Sequence, residues 1–254
     1  HGSIFLIAIR KGKPGSHCFV GSQRPIEGIL VPGCCASITR VALRSQSRLI
    51  EHSTTGTRQA AQQLLPLVQK VLRSAKFDIV DLDGIIVAAG PGSFTGLRIG
   101  IAAAQGLSAA HSIPLIGVSS LAQLAQSAFR NIESEAFLVC LPARDGEVYF
   151  GAYKHIKGSV VLSGQEQVLS FTEDGSGSGV EFLGEDWVGV GQGWRKRSEL
   201  ENKLQIQLVD CFPEMQSDMQ GLFDFGLEKF LNGEVLSAEE LLPHYVKERL
   251  EYSP

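Results

Sequence analysis

Apolar positions along this chain alternate between short runs and stretches of helical spacing. Ile29–Val31, Ile38–Leu43 and Arg48–His52 read as short strands, because β-branched and apolar residues cluster there between turn formers. Residues 57–75 then carry apolar side chains at Ala61, Leu64, Leu65, Val68, Val71 and Leu72, the spacing of a helix with one buried face. Pro66 inside that run predicts a kink or a turn boundary. A strand at 85–89, a glycine turn and a helix over 95–110 follow.

The second half is richer in strand. Ile113–Val118 predicts a strand, and Ser119 or Ser120 caps a helix reaching to about Arg130. Phe137–Leu141 and Glu147–Tyr153 form a hairpin signal around Arg144-Asp145-Gly146. Val160–Leu162 and Glu166–Leu169 suggest more strand, and residues 173–179 (EDGSGSG) read as a flexible loop. Val188–Val190 leads into GQGW, and helices are expected at about 197–203 and 217–232. This order predicts α/β layers in two lobes, 28–112 and 113–254. Residues 1–27 stay unplaced: IFLIAI is strand-like, but turn-rich sequence follows it.

Composition narrows the function classes. At 254 residues the chain can bury a sizeable core, and 44% hydrophobic with 20% charged residues is ordinary for a globular protein. A net charge of −4 argues against a self-sufficient nucleic-acid binder. The five cysteines include an adjacent pair, Cys34-Cys35, but no Cys-x-x-Cys, so reduced thiols in a cytoplasmic protein are expected. No apolar run approaches a membrane span, and IFLIAI is too short for a signal-peptide core.

The stretch AAGPGSFTGLRIGIAAAQGL, residues 88–107, carries the candidate chemistry. Gly90, Gly92 and Gly96, with Ser93 and Thr95 as capping residues, follow an apolar strand and open a helix. Unpaired amides at a helix start can hold an anion, so these five residues are candidates for nucleotide binding. The spacing matches no standard motif. The third glycine falls one residue late for a dinucleotide fingerprint, a Walker loop would need a lysine, and Ser93 lacks the glycine frame of a nucleophile elbow. A plain strand-to-helix turn therefore stays open beside the anion cradle. Further along, Gly96, Gly100 and Ala104 recur every four residues on one helical face. Interior helix glycine costs about 1 kcal/mol against alanine, which calls for a packing reason. Two readings stand: internal packing against the helix at 57–75, or a surface shared by both helices, with Leu64, Leu65 and Val68 as knobs, that meets a partner protein.

The glycine stretch resembles the TsaB (YeaZ) family, bacterial proteins of the tRNA threonylcarbamoyladenosine pathway. Supporting matches are LLPLVQ (64–69), IPLIGVSSL (113–121), ARDGEVY (143–149), GVGQGW (189–194) and, more weakly, PHYVK (243–247). The resemblance implies a two-lobed actin-like, sugar-kinase-like ATPase (ASKHA) fold with no catalytic role of its own. It implies binding to a TsaD-like paralogue that carries the transferase chemistry, and cooperation with a TsaE-like ATPase. Together these attach threonylcarbamoyl to the adenosine beside the tRNA anticodon. The family's contact helices correspond to 57–75 and 95–110 here. No cofactor of its own is implied; ATP or ADP at a partner interface and a homodimer through the same helices stay open. Contact with tRNA is expected only through the complex.

Several positions depart from the family pattern and mark a diverged member. Where its first strand ends in Ile-Leu-Ala-x-Asp-Thr, this chain reads Ile29-Leu30-Val31-Pro32-Gly33-Cys34. His-Ser ahead of Leu-Leu-Pro becomes Ala60-Ala61, and Asp-Ala-Arg becomes Pro142-Ala143-Arg144. Gly33 and Pro142 cannot position a metal-bound phosphate as a carboxylate would. The six histidines include no His-x-x-x-His pair, so no metal site is expected, and Ser93 has no evident base. Asp145 and Glu147 read as a solvated hairpin rather than an acid pair. Arg98 is open between a phosphate or tRNA contact and a surface ion pair. Trp187 and Trp194 read as packing residues rather than a base-stacking platform. A non-catalytic partner in tRNA modification is the leading function; an ATP-binding kinase-like enzyme of the same superfamily is the alternative.

Overall fold

The computed structural model describes residues 6–9, 33–35, 38–45, 48–55, 60–144, 146–171 and 186–246. The chain forms two compact units. One comprises His1–Ala89, Ser93–Val118 and Gly226–Pro243; the other comprises Gly90–Gly92, Ser119–Phe225 and His244–Pro254. The strand expected at Ile29–Val31, the loop at 173–179, Asp145 and the start of the helix expected from 57 lie outside the described residues.

In the first unit, β1 (Leu6–Ile9) pairs antiparallel with β5 (Gly84–Gly90), and β6 (Leu115–Ser119) flanks β5 on its other side. A second sheet is the antiparallel meander β2 (Gly33–Cys35), β3 (Ile38–Ser45) and β4 (Arg48–Thr55). Among the described residues this unit therefore carries two three-stranded sheets. Helix α1 (Ala60–Ala75) buries Leu64, Leu67, Val68, Val71 and Leu72 in one cluster with Val41, Leu43, Ile85 and Val87. The buried face is rotated slightly from the one read in the sequence: Ala61 and Leu65 are exposed and Leu67 is inside. No boundary forms at Pro66, because proline sits on the exposed face, where the carbonyl that loses its donor can turn to water.

The second half of the chain crosses back. Leu236 exchanges backbone hydrogen bonds with Leu115, each 2.8 Å, and Leu241 is buried in the first unit's core. The amide of Gln105 on α2 (Phe94–His111) donates to the carbonyls of Ala238 (2.9 Å) and Leu241 (3.0 Å). So residues 113–118, with most of β6, and residues 226–243 belong with the first unit, although the sequence alone assigns everything from 113 onward to a second lobe.

The other unit is built on a five-stranded mixed sheet ordered β11-β10-β7-β8-β9. Its strands are β7 (Ala136–Pro142), β8 (Glu147–Ile156), β9 (Ser159–Ser170), β10 (Val188–Val190) and β11 (Asp210–Phe212). Alternation along β7 sends Ala136, Leu138 and Cys140 to one face and Phe137 and Val139 to the other. The first face packs with Trp187, Trp194, Leu208 and helix α4 (Arg197–Leu204); the second packs with helix α3 (Ser120–Asn131). Both tryptophans are buried, and the Trp194 indole donates to the Leu138 carbonyl at 2.7 Å, so they are core residues. The two runs expected at 160–162 and 166–169 are one strand, β9, whose pairing with β8 slips between Phe150 and Ala152. Helix α5 (Met219–Leu231) is capped by Asp218, whose carboxylate accepts from the Gly221 amide at 2.6 Å.

Candidate functional site

Strand β5 is apolar on both faces and fully buried, which marks a central strand, and it ends at the glycine turn. Gly90 adopts φ 112°, a region open to glycine and costly for other residues, and the Gly90-Pro91 peptide is cis. Ser93 is the N-cap of α2: its hydroxyl accepts from the Gly96 amide at 3.4 Å, and its carbonyl accepts from the Leu97 amide at 2.9 Å. The turn thus engages part of the helix head with its own atoms. Gly92 and Ser93 are half-buried, Thr95 is exposed, and Gly96 is buried. Phe94 is 60% exposed, and the Arg98 guanidinium stacks over its ring at 3.6 Å, a cation–π contact within the helix's first turns. Gly33 stands in β2 and Pro142 ends β7, so neither strand end offers a carboxylate at the position where the family pattern has one.

The residues proposed for a partner surface divide sharply. Gly96, Gly100 and Ala104 form the buried face of α2, and Ala104 lies in one cluster with Leu64 and Val68 of α1. That small-residue stripe is internal packing: it lets the α2 backbone approach the core, and it is not available to another molecule. Of the six, Leu65 alone is open, at 48% exposure. The exposed positions of α2 are Phe94, Thr95, Arg98, Ala102, Gly106, Ala109, Ala110 and His111, and a Cβ at Gly106 would meet nothing within 4 Å. The exposed face of α2 is the opposite one. The helical period held both faces, and the glycines mark the buried one.

The sequence reading also passed over Gln105, which fastens residues 238–241. Its signal was available: it is the one side chain with an amide within the apolar Ile101–Leu107 stretch, and half-buried amides need partners. Among the described residues, Cys140 and Cys211 are free thiols, and burial pushes the Cys140 thiol well above its ordinary value, which suits an inert packing residue. No helix of the described residues is long and apolar enough to cross a membrane.

Known proteins share this arrangement. The sequence model of TsaD, tRNA N6-adenosine threonylcarbamoyltransferase, matches residues 50–177, from β4 past β9. The tRNA threonylcarbamoyladenosine biosynthesis protein TsaB of Escherichia coli is 30% identical over 207 residues, covering 82% of this chain and 89% of that protein. The chain belongs to the TsaB family. TsaB of Haemophilus influenzae is 24% identical over 222 residues, with 82% of this chain covered. Among solved structures, YeaZ from Pseudomonas aeruginosa superposes with a TM-score of 0.72 at 33% identity, covering 82% of this chain and 94% of that one. A second Pseudomonas aeruginosa structure, described as an uncharacterized protein with similarity to peptidase YeaZ, gives a TM-score of 0.73 at 32% identity. The fold is the actin-like, sugar-kinase-like α/β fold of the TsaB family.

Proposed function

We propose that this TsaB-family chain is the non-catalytic partner of a TsaD-like transferase in threonylcarbamoyl modification of the adenosine next to the tRNA anticodon. The observation that carries the reading is the match to TsaB over most of both chains. The partner is met through the outer face of α1 and α2, around Leu65 on one helix and Ala102 and Gly106 on the other. Leu65 supplies exposed apolar area, and the small residues of α2 allow close helix approach. A TsaE-like ATPase joins the assembled pair, and tRNA is reached through the complex, in keeping with the net charge of −4. ATP or ADP, where it enters, is shared with the partner at the glycine turn. In the absence of the paralogue the same face pairs two copies of this chain.

Size-exclusion chromatography of the chain mixed with a TsaD-like paralogue tests this directly. The wild type should co-elute with it, and Leu65→Glu and Gly106→Arg should not, with melting temperatures unchanged. Failure of the wild type to associate at tens of micromolar, with both proteins folded, would overturn the assignment.

A further inference from the structure

A polar cluster in the second unit has no place in the assembly reading. Glu166 lies in the slipped stretch of β9, where Gly164, Gln165 and Glu166 fall between the pairs Ala152↔Ser163 and Phe150↔Gln167. Gly164 there has φ 86°. Such bulges turn a side chain away from the position that regular pairing would give it. The Glu166 side chain is only 6% exposed, yet it gathers three partners. One carboxylate oxygen, Oε1, accepts from both the Ser119 hydroxyl and the Tyr153 phenol. The other, Oε2, accepts from His244 Nε2 at 2.8 Å. Gly151 opposite the bulge leaves the space: a Cβ there would stand 2.9 Å from the Tyr153 ring and 3.5 Å from Glu166 Cγ.

The partners differ in what they can change. Ser119 also caps α3, accepting from the amides of Leu121 (3.1 Å) and Ala122 (3.4 Å), so the carboxylate sits behind a helix N-terminus that favours negative charge. Burial first, and then the Glu166 charge, hold the Tyr153 phenol well above its usual range, so it stays a donor at neutral pH. His244 belongs to the segment after Pro243 and is half-exposed at its side chain. Among the described residues it is the one basic side chain on the carboxylate. The order of contacts places the acid at the centre with Ser119 and His244 on different oxygens, so the serine has no base and the cluster is no hydrolytic triad.

We propose that Ser119, Tyr153, Glu166 and His244 form a protonation-controlled latch, which fastens the chain at His244 to β9 when the imidazole is charged and loosens it when the proton leaves. Ser119 and Tyr153 keep the carboxylate fixed in either state, so the moving part is the segment His244–Val246. Among the described residues, the charged and titratable groups on the His244 side of the cluster are Glu166 from β9 and, behind it, Tyr153 from β8; the α3 side contributes the neutral Ser119 hydroxyl. The Glu166 hydrogen bond raises the His244 pKa above its ordinary value, against the opposing effect of burial. A raised value in the folded state means the latch is fully closed below the unfolded imidazole pKa and opens as pH rises through the folded one. Neutral imidazole still has one N–H to donate, so opening is graded.

Nuclear magnetic resonance on the full chain reads both parts. The His244 Cε1 proton should titrate above an ordinary histidine, and the backbone amides of Tyr245 and Val246 should shift with the same midpoint. Glu166→Gln should bring that midpoint down to the ordinary histidine range or below it, because burial alone then acts on the imidazole. His244→Gln, a change at a half-exposed site that leaves the fold intact, should lower amide protection at 245–246 by about tenfold at acidic pH, the order expected for losing a charge-assisted hydrogen bond. At pH above the folded midpoint the two chains should converge. An ordinary His244 midpoint in the wild type would overturn the latch. So would equal protection of wild type and His244→Gln at acidic pH, whether or not Glu166→Gln folds.

Discussion

Gly221 of α5 lies directly against Ser127 of α3: a Cβ at Gly221 would collide with the Ser127 hydroxyl and stand 2.8 Å from its amide nitrogen. The hydroxyl cannot step aside, because it donates to the Gln123 carbonyl at 2.9 Å and accepts from the Asp218 amide at 3.0 Å. Asp218 in turn caps α5 and meets Arg130 at 3.4 Å. One small residue thus allows a helix cap and a helix crossing to share the same polar knot.

Gly221→Ala should therefore destabilise the fold by about 1–3 kcal/mol, the usual range for overpacking a close contact. Gly191→Ala should be worse, at about 2–4 kcal/mol, since Gly191 has φ 98° and a Cβ there would strike the Cys140 carbonyl and approach Leu124 at 2.8 Å. Denaturant melts of both variants against wild type check the order.

Two glycines of α2 offer a cleaner contrast. Gly100 faces the buried core, so Gly100→Leu should lower the melting temperature, with a loss of about 1–3 kcal/mol or more. Gly106 faces open space, so Gly106→Leu should hold or raise stability, by up to about 1 kcal/mol, because leucine is the better helix former. If Gly100→Leu instead melts like wild type and only partner binding suffers, the internal assignment of the stripe is wrong.

Glu201 predicts a pH effect at the acid end. Burial favours its neutral form, but the Leu208 amide at 2.9 Å and the Arg197 guanidinium at 2.9 Å outweigh that and lower its pKa. A depressed folded value stabilises above the unfolded carboxylate pKa and loses that contribution as pH falls through the folded one. Glu201→Gln should cost about 1 kcal/mol at neutral pH, reduced by solvent screening at this surface pair. The difference should shrink steadily in melts taken towards acid pH; a gap that stays constant would contradict it.

Isolated protein should turn over ATP negligibly with magnesium. Gly33 and Pro142 replace the carboxylates a metal-bound phosphate would use, and the glycine stretch has no Walker lysine. Phosphate release by highly purified chain, at a rate that Gly92→Val abolishes, would refute this.

Most of the strands and helices from Ile38 to Leu231 were legible in the sequence, because period-2 and period-3.6 patterns, Ser93 and Ser119 as caps, and turn glycines are local signals; the three-residue β11 carries too short a pattern to be read, and β9 reads as two runs because its bulge breaks the alternation. The family was legible for the same reason: its motif is one unbroken stretch, residues 88–107. Which face of α2 is inside was not. An apolar helix with small residues all round offers two plausible faces, and only tertiary packing, with Ala104 in one cluster with Leu64 and Val68, buried Gly96, Gly100 and Ala104 and left Ala102 and Gly106 outside.

The sequence did not show which distant residues meet. Gln105 holds residues 238–241, and Glu166 holds His244 across 78 positions; in each case the partner is far along the chain and of a common type. The return of 226–243 to the first unit follows from the same physics. A buried edge beside Leu115 needs backbone partners, and Leu236 supplies them whatever its distance in sequence. Local pattern determined what each segment becomes; the need to satisfy buried polar groups and fill the core, met only in three dimensions, decided where each one goes.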